Sequence, residues 1–412
     1  MLSSVIDGNE AGNRLLRLPG LASAHSHAFQ RALRSRTHRR SNPSESFWSW
    51  RGLMFALAAQ LDPDSIFELS RYAFVELAQS GVTAVGEFHY VHHAPGGQSY
   101  AQRTVMAERV IDAALAAGIR ITLLRTVYLR AGFRQTLAPG QDRFVDRTLD
   151  EALADTLTLH TRYAGHPRVR IGIAPHSIRA VPIVQVAAIA QFARSHGLPC
   201  HMHISEQRRE LDECRQEYAT TPVALLAEHG ILDGAFTGIH GTHMTAAEIA
   251  ALGGSGAHLC ICRTTERDLG DGQPDVAEMV DAGVPLCIGV DSHASSDHFE
   301  EMRAVELDER IRSERRVAAL QATQLLKMGS HSGYRSIGWA DAIGADQVLL
   351  RPDDPALAGF DPALPDDAVV FAGSPRAVEQ VSVGDATIVE AGVHPLLAAS
   401  RTAFVSRLQS WL

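Results

Sequence analysis

The sequence predicts an α/β protein, a (β/α)8 barrel of the TIM type with a small β-sandwich accessory domain. Eight short β-branched or apolar runs alternate with helical stretches, the order that gives parallel strands with helical crossovers. Several helical stretches stop at a glycine just before the next run, which is a normal helix end. The runs also finish repeatedly in His, Glu or Asp. A (β/α)8 barrel gathers its active site at the C-terminal ends of its strands, and packing alone does not call for polar residues there.

In chain order the strand candidates are Leu18–His27, Val82–Phe88, Ile119–Val127, Val169–Pro175, Leu198–Ser205, Phe236–His243, Ala257–Cys262 and Pro285–Asp291. Helical patterns such as IFELSRYAFVELAQSG and AERVIDAALAAG lie between them. The first connection, from His27 to Val82, is long enough to cover the mouth of a barrel. After Ser313 the pattern changes. Residues Val348–Val393 read as short strands with turns, DDAVVFAGSP and VEQVSVGDATIVEAG among them, and Arg401–Leu412 reads as a closing helix. The expected division is a barrel over 18–330, with 1–17 and 331–412 forming a small β domain plus the C-terminal helix. An open doubly wound sheet is the alternative arrangement for the eight runs.

Composition narrows the function. No run is long and apolar enough for a transmembrane helix, and the start lacks the basic-then-apolar order of a signal peptide. No membrane partner and cytoplasmic residence are the expectations. A net charge of −9 argues against nucleic acid as a partner. The local exception, RALRSRTHRR at Arg31–Arg40, reads as a solvated helix end or an oligomer contact. The five cysteines are odd in number and lie mostly in apolar runs, so buried thiols are expected rather than disulfides.

The polar strand ends carry the chemistry. They are His25 and His27; Glu87, His89 and Tyr90; His176; His203 and Glu206; His240 and His243; and Asp291 with His293. Residues i and i+2 of a strand share a face, so His25 and His27 can reach one ion. Taken singly, each signal has a plainer reading: a partly exposed histidine pair, a satisfied core histidine at 203, an N-cap at Asp291. Taken together, three histidines and an aspartate at the ends of strands one, five and eight can converge on one cation, with Glu206 placed to handle protons nearby. Such nitrogen and oxygen donors suit zinc, with iron also acceptable.

HSHAFQRALR, ESFWSWRGLM, GVTAVGEFHYVHH, APHSIRAV, HMHISEQ, HGTH, TTERDLGDG and GVDSH together resemble the amidohydrolase superfamily, and within it the deiminases that release ammonia from N-formimino-L-glutamate in histidine degradation. The resemblance runs from Leu18 to Ser313. It implies metal ligands His25, His27, His203 and Asp291, with Glu206, His240 and Asp291 as catalytic residues. It also implies substrate contacts at Gln30, Arg51, Tyr90, His176 and Arg179, a small substrate bearing carboxylates, and a homodimer. Arginine suits planar recognition of carboxylates, whereas Trp48 and Trp50 are read as packing residues. Two positions depart from the pattern: Arg263 stands where proline is expected, and Val290 where serine is usual. Two-metal relatives use a lysine at the end of the fourth strand. The single lysine of this chain is Lys327, so one metal ion is expected. Two rival readings share the fold: a deaminase of a purine-like ring, which has less use for two arginines, and an inactive barrel acting as a binding protein.

Overall fold

The computed structural model describes residues 3–7, 14–38 and 46–411. Among the described residues, thirteen strands form two sheets. They are β1 (Ser4–Asp7), β2 (Arg14–Pro19), β3 (Leu21–Ser26), β4 (Val82–His89), β5 (Arg120–Val127), β6 (Val169–Pro175), β7 (Cys200–Ile204), β8 (Phe236–His240), β9 (His258–Ile261), β10 (Leu286–Ile288), β11 (Gln347–Leu350), β12 (Val378–Val383) and β13 (Ala386–Val389).

Strands β3 to β10 lie side by side in chain order, every pair parallel. All eight coincide with the runs read from the sequence, because strands covered on both faces need near-continuous apolar stretches. The first run is divided at Gly20, where the chain passes from the accessory sheet into the barrel. A Cβ there would lie 2.7 Å from Asp346 Cβ and collide with Thr83 Oγ1.

The barrel closes between β3 and the end of β10. Ser26 bridges Asp291 in parallel. The His27 amide donates to Asp291 O at 2.8 Å, and the Asp291 amide donates to His25 O at 3.1 Å. Gly289 makes this seam possible: a Cβ would sit 2.7 Å from His25 Cβ and 2.8 Å from its carbonyl oxygen. The seam therefore runs through three of the four expected metal ligands.

The opposite end of the barrel is plugged. Ala22, Ala24, Ala84, Ile239, Cys260, Cys262 and Cys287 pack against Tyr334, Ile337 and Trp339. All five cysteines are free and buried. Segment 328–343, which starts just before the boundary drawn at 330, supplies this plug.

The accessory sheet is antiparallel, in the order β1-β2-β11-β12-β13, so chain segments from both ends build it. Asp346 fastens it to the barrel. Its carboxylate accepts from Arg120 Nε and Nη2 at 2.9 Å each, from Tyr334 OH at 2.5 Å and from the Gly384 amide at 2.8 Å. One expectation fails here. DDAVVFAGSP, read as a strand, is the helix Pro365–Ala372. Pro365 sits in its first turn beside Asp366 and Asp367; proline and acidic residues both favour a helix start. The C-terminal helix, Leu397–Ser410, packs on the helix Pro63–Gln79 through Phe404 and Tyr72, with ring centroids 4.6 Å apart.

Candidate active site

The strand periodicity delivers what the sequence pattern predicts. His25 and His27 project from the end of β3, His203 from β7, and Asp291 from the turn after β10. The donor atoms of His25, His27 and His203 lie within 4.8 Å of one another, as do those of His25, His240 and Asp291. His25 and His27 each place Nε2 3.4 Å from Asp291 Oδ1. Backbone carbonyls fix the other ring nitrogens: His27 Nδ1 donates to Phe88 O at 2.8 Å and His203 Nδ1 to His176 O at 3.0 Å. These bonds turn both Nε2 atoms inward, in the manner of the outer partners of metal-bound histidines.

The cluster fits a cation on its own chemistry. His25 is fully buried, yet neither of its ring nitrogens makes a hydrogen bond. A buried polar atom without a partner is costly, and a metal ion at this position would satisfy it. Burial brings the His25 imidazole down to about 3 and lowers those of His27 and His203, so all three are neutral, the form that binds metal. Burial alone would raise the Asp291 carboxyl, but the His25 side chain and the charged His240 beside it hold it below the usual range.

Glu206 and His240 stand beside the cluster. His240 Nε2 is 3.6 Å from Glu206 Oε1 and 3.6 Å from Asp291 Oδ2. Burial disfavours the imidazolium, yet Glu206, the bond to Glu266 and Asp291 together raise its pKa to about 10. Burial also raises Glu206, against the opposing pull of His240 and Arg179. His240 and Asp291 both have positive φ, 74° and 49°, so this rim of the site carries backbone strain.

All five expected substrate contacts line the same small cavity, of about 50 Å³, between His27, His203, Glu206, His240 and Asp291 and the helix Phe47–Ala58. Gln30 Nε2 donates to Tyr90 OH at 2.6 Å, while Gln30 Oε1 has no partner. His176 stacks over His203 at 4.9 Å between centroids. Arg51 Nη2 donates to Tyr128 OH at 2.8 Å. Arg179 is buried, its Nε has no hydrogen-bond partner, and its Nη2 comes no nearer than 4.0 Å to Glu206 Oε2. Two guanidinium groups thus line one cavity, Arg51 without an ion pair among the described residues and Arg179 with only the 4.0 Å contact to Glu206. Trp50, read as a packing residue, lines the cavity as well, and Trp48 lies 5.6 Å from both Arg51 and Arg179.

Other polar strand ends fall outside the cavity. His293 Nε2 bonds Ser26 Oγ at 2.9 Å, and the same hydroxyl donates to Glu87 at 2.5 Å. Glu87, its pKa pushed up to about 8 by burial, also accepts from the Ala28 amide at 2.8 Å. This buried carboxyl thus holds the Ser26 hydroxyl and the Ala28 amide, on either side of His27. Arg31 and Arg34 pair with Glu76, while Arg39 and Arg40 lie outside the described residues.

Sequence reasoning missed Glu266 and Tyr128. Glu266 accepts from His240 Nδ1 at 3.1 Å, from Arg263 Nη1 at 2.6 Å and from the Cys262 amide at 3.0 Å. The available signal was an acidic residue in TTERDLGDG, directly after a buried strand. Arg263, at the position where proline was expected, joins Glu266 to Asp308, whose Oδ2 it meets at 2.8 Å.

Comparison with known proteins follows the same lines. The amidohydrolase family model matches residues 16–384. The chain is 37% identical over 407 residues to the formimidoylglutamate deiminase of Pseudomonas aeruginosa, covering 95% of this chain and 88% of that one. It is 27% identical to a 5-methylthioadenosine/S-adenosylhomocysteine deaminase of Shouchella clausii, covering 90% and 81%. The crystal structure of an amidohydrolase from Brucella melitensis superposes with a TM-score of 0.89 at 30% identity, covering 96% and 89%. A match spanning most of the chain, on a parallel barrel whose seam gathers the histidine and aspartate donors, makes this protein a member of the amidohydrolase family.

Proposed function

We propose that the protein hydrolyses N-formimino-L-glutamate to N-formyl-L-glutamate and ammonia. The observation that carries this reading is the pair Arg51 and Arg179, facing one small cavity beside the histidine–aspartate cluster, Arg51 without an ion pair among the described residues and Arg179 with only the 4.0 Å contact to Glu206. A substrate with two carboxylates supplies what they lack. The identity to a formimidoylglutamate deiminase supports the same substrate.

His25, His27, His203 and Asp291 would hold one divalent cation, zinc in our reading. Such an ion supplies Lewis-acid activation of water near neutral pH. The residues of the chain do the rest. Arg51 and Arg179 bind the carboxylates and set the formimino carbon against the cluster. Asp291 accepts a proton as water adds to that carbon. His240, protonated and held by Glu266, donates Nε2–H toward the tetrahedral adduct. Glu206 carries a proton to the amino group, which leaves as ammonia while the C=O bond forms.

Ammonia release from N-formimino-L-glutamate, guanine and 5-methylthioadenosine, with purified protein of measured metal content, tests the proposal. We expect release from the first alone. Turnover of a ring substrate in place of the linear one sinks it, and a folded protein that takes up neither zinc nor iron would point to an inactive barrel.

A further inference from the structure

One wall of the cavity does not belong to the barrel. Phe47, Trp50, Arg51 and Met54 all sit on the helix Phe47–Ala58, in the long connection after β3. Whatever fixes that helix fixes Arg51.

The segment after β5 meets this helix closely. Gly140, at φ 81°, comes so near that a Cβ would lie 2.7 Å from Phe55 O. The Phe144 ring lies 5.6 Å from that of Phe55 and 5.0 Å from that of Tyr90. Arg143 is buried, and none of its hydrogen bonds goes to a carboxylate. Its guanidinium donates to Ala58 O at 2.8 Å, Ala59 O at 3.2 Å, Leu61 O at 2.7 Å and His93 O at 2.5 Å. The last carbonyls of a helix have no partners within it, and a cation there also complements the helix dipole. In return the Arg143 carbonyl accepts from the His92 and His93 amides at 3.0 and 3.1 Å. Next to it, Gln141 Nε2 donates to Tyr128 OH at 3.1 Å, the hydroxyl that accepts from Arg51. Three connections, those after β3, β4 and β5, are therefore tied at one side chain.

We propose that Arg143 is a positioning residue for substrate recognition. By capping the helix Phe47–Ala58 from the neighbouring connection it holds Arg51 in the cavity wall, on the same cavity as the metal-ligand cluster. Arg143 touches no substrate. A single cation holding backbone from two other connections is hard to replace: lysine has one ammonium for four carbonyls and cannot match the planar fork. The expectation is a KM effect, since the helix carries the recognition wall and none of the proton-transfer groups.

The substrate arm of this inference rests on the function proposed above; the structural arm does not. Arg143→Met and the milder Arg143→Lys are compared with the native enzyme by steady-state kinetics on N-formimino-L-glutamate, and by hydrogen exchange resolved to residues 47–61. We expect faster exchange in that segment with the barrel strands unchanged. We also expect KM to rise by about tenfold or more in Arg143→Met, kcat to fall less, and Arg143→Lys to lie between. In an Arg51→Met background, Arg143→Met should add little to KM, because both act through one contact. Unchanged exchange over 47–61 overturns the clamp. Faster exchange with an unchanged KM, or full additivity with Arg51→Met, overturns the positioning role. If Arg143→Met does not fold, the same two criteria apply to Arg143→Lys. Absence of turnover by the native enzyme sinks the substrate assignment, and the exchange data then decide the clamp alone.

Discussion

In the proposed reaction, Glu206 and Arg179 separate chemistry from recognition at the level of single side chains. Glu206 lies 3.6 Å from His240 and has its pKa raised mainly by burial, so it is built to carry a proton rather than to anchor substrate. Glu206→Gln keeps the shape and removes the titration; kcat should fall by about 10²–10⁴-fold with KM little changed. Arg179 has an Nε without any hydrogen-bond partner. In Arg179→Met a charge-assisted contact to a substrate carboxylate is lost, and KM should rise about ten- to a hundredfold. Steady-state kinetics on the two variants checks both statements. A large kcat loss confined to Arg179→Met would reverse the assignment of roles. Glu266 shows where residue-level reading stops. Its sequence setting is that of any acidic residue in a short helix, and its meaning exists only as a contact, 3.1 Å from His240 Nδ1.

The eight barrel strands were legible because a parallel strand buried on both faces is written as an apolar run, and its polar end residue stands out against that run. The expected metal ligands follow from the same contrast. The segment between β11 and β12 is less distinct: Pro365–Ala372 holds the apolar run Ala368–Ala372 and packs on the helix His298–Ser313, and its proline and aspartates, read properly, mark a helix start. The wall helix Phe47–Ala58 was invisible as a wall, because which face it turns to the cavity depends on Arg143, far along the chain. The helix His298–Ser313 offers a test at this scale. Its Glu301 is buried, accepts from the Thr264 amide at 3.2 Å and from Thr264 Oγ1, and has its pKa pushed up to about 8, chiefly by burial. The folded protein then keeps a proton that the unfolded chain releases near its ordinary value of 4.5. The contribution to stability is full below that value and is lost as pH rises through about 8. In urea unfolding, the stability of the native protein relative to Glu301→Gln should therefore decline across this window; a difference that stays constant with pH would mean that Glu301 is ionised in the fold.

The site and the closure of the whole barrel are one structure. Elsewhere around the ring adjacent strands share a ladder, except that β6 and β7 meet at the pair Ile173–Cys200 and at the Ser177–His203 bridge. Between β3 and β10 the closure rests on the Ser26–Asp291 bridge, on the two hydrogen bonds that join Asp291 to His25 and His27, and on the Val290 amide, which donates to Ser23 Oγ at 3.1 Å. A cation held by His25, His27, Asp291 and His203 would tie this seam to β7 across the barrel mouth. Metal binding to the native state alone stabilises it by mass action, about 4 kcal/mol when free metal exceeds the dissociation constant a thousandfold. Removing the metal with a chelator should lower the unfolding midpoint in a scan followed by circular dichroism, and adding zinc back should restore it. In His203→Ala, which removes the donor across the mouth and leaves the seam hydrogen bonds intact, the chelator should shift the midpoint far less. An equal shift in both proteins would mean that the metal stabilises the chain from some other position, and that the seam holds without it.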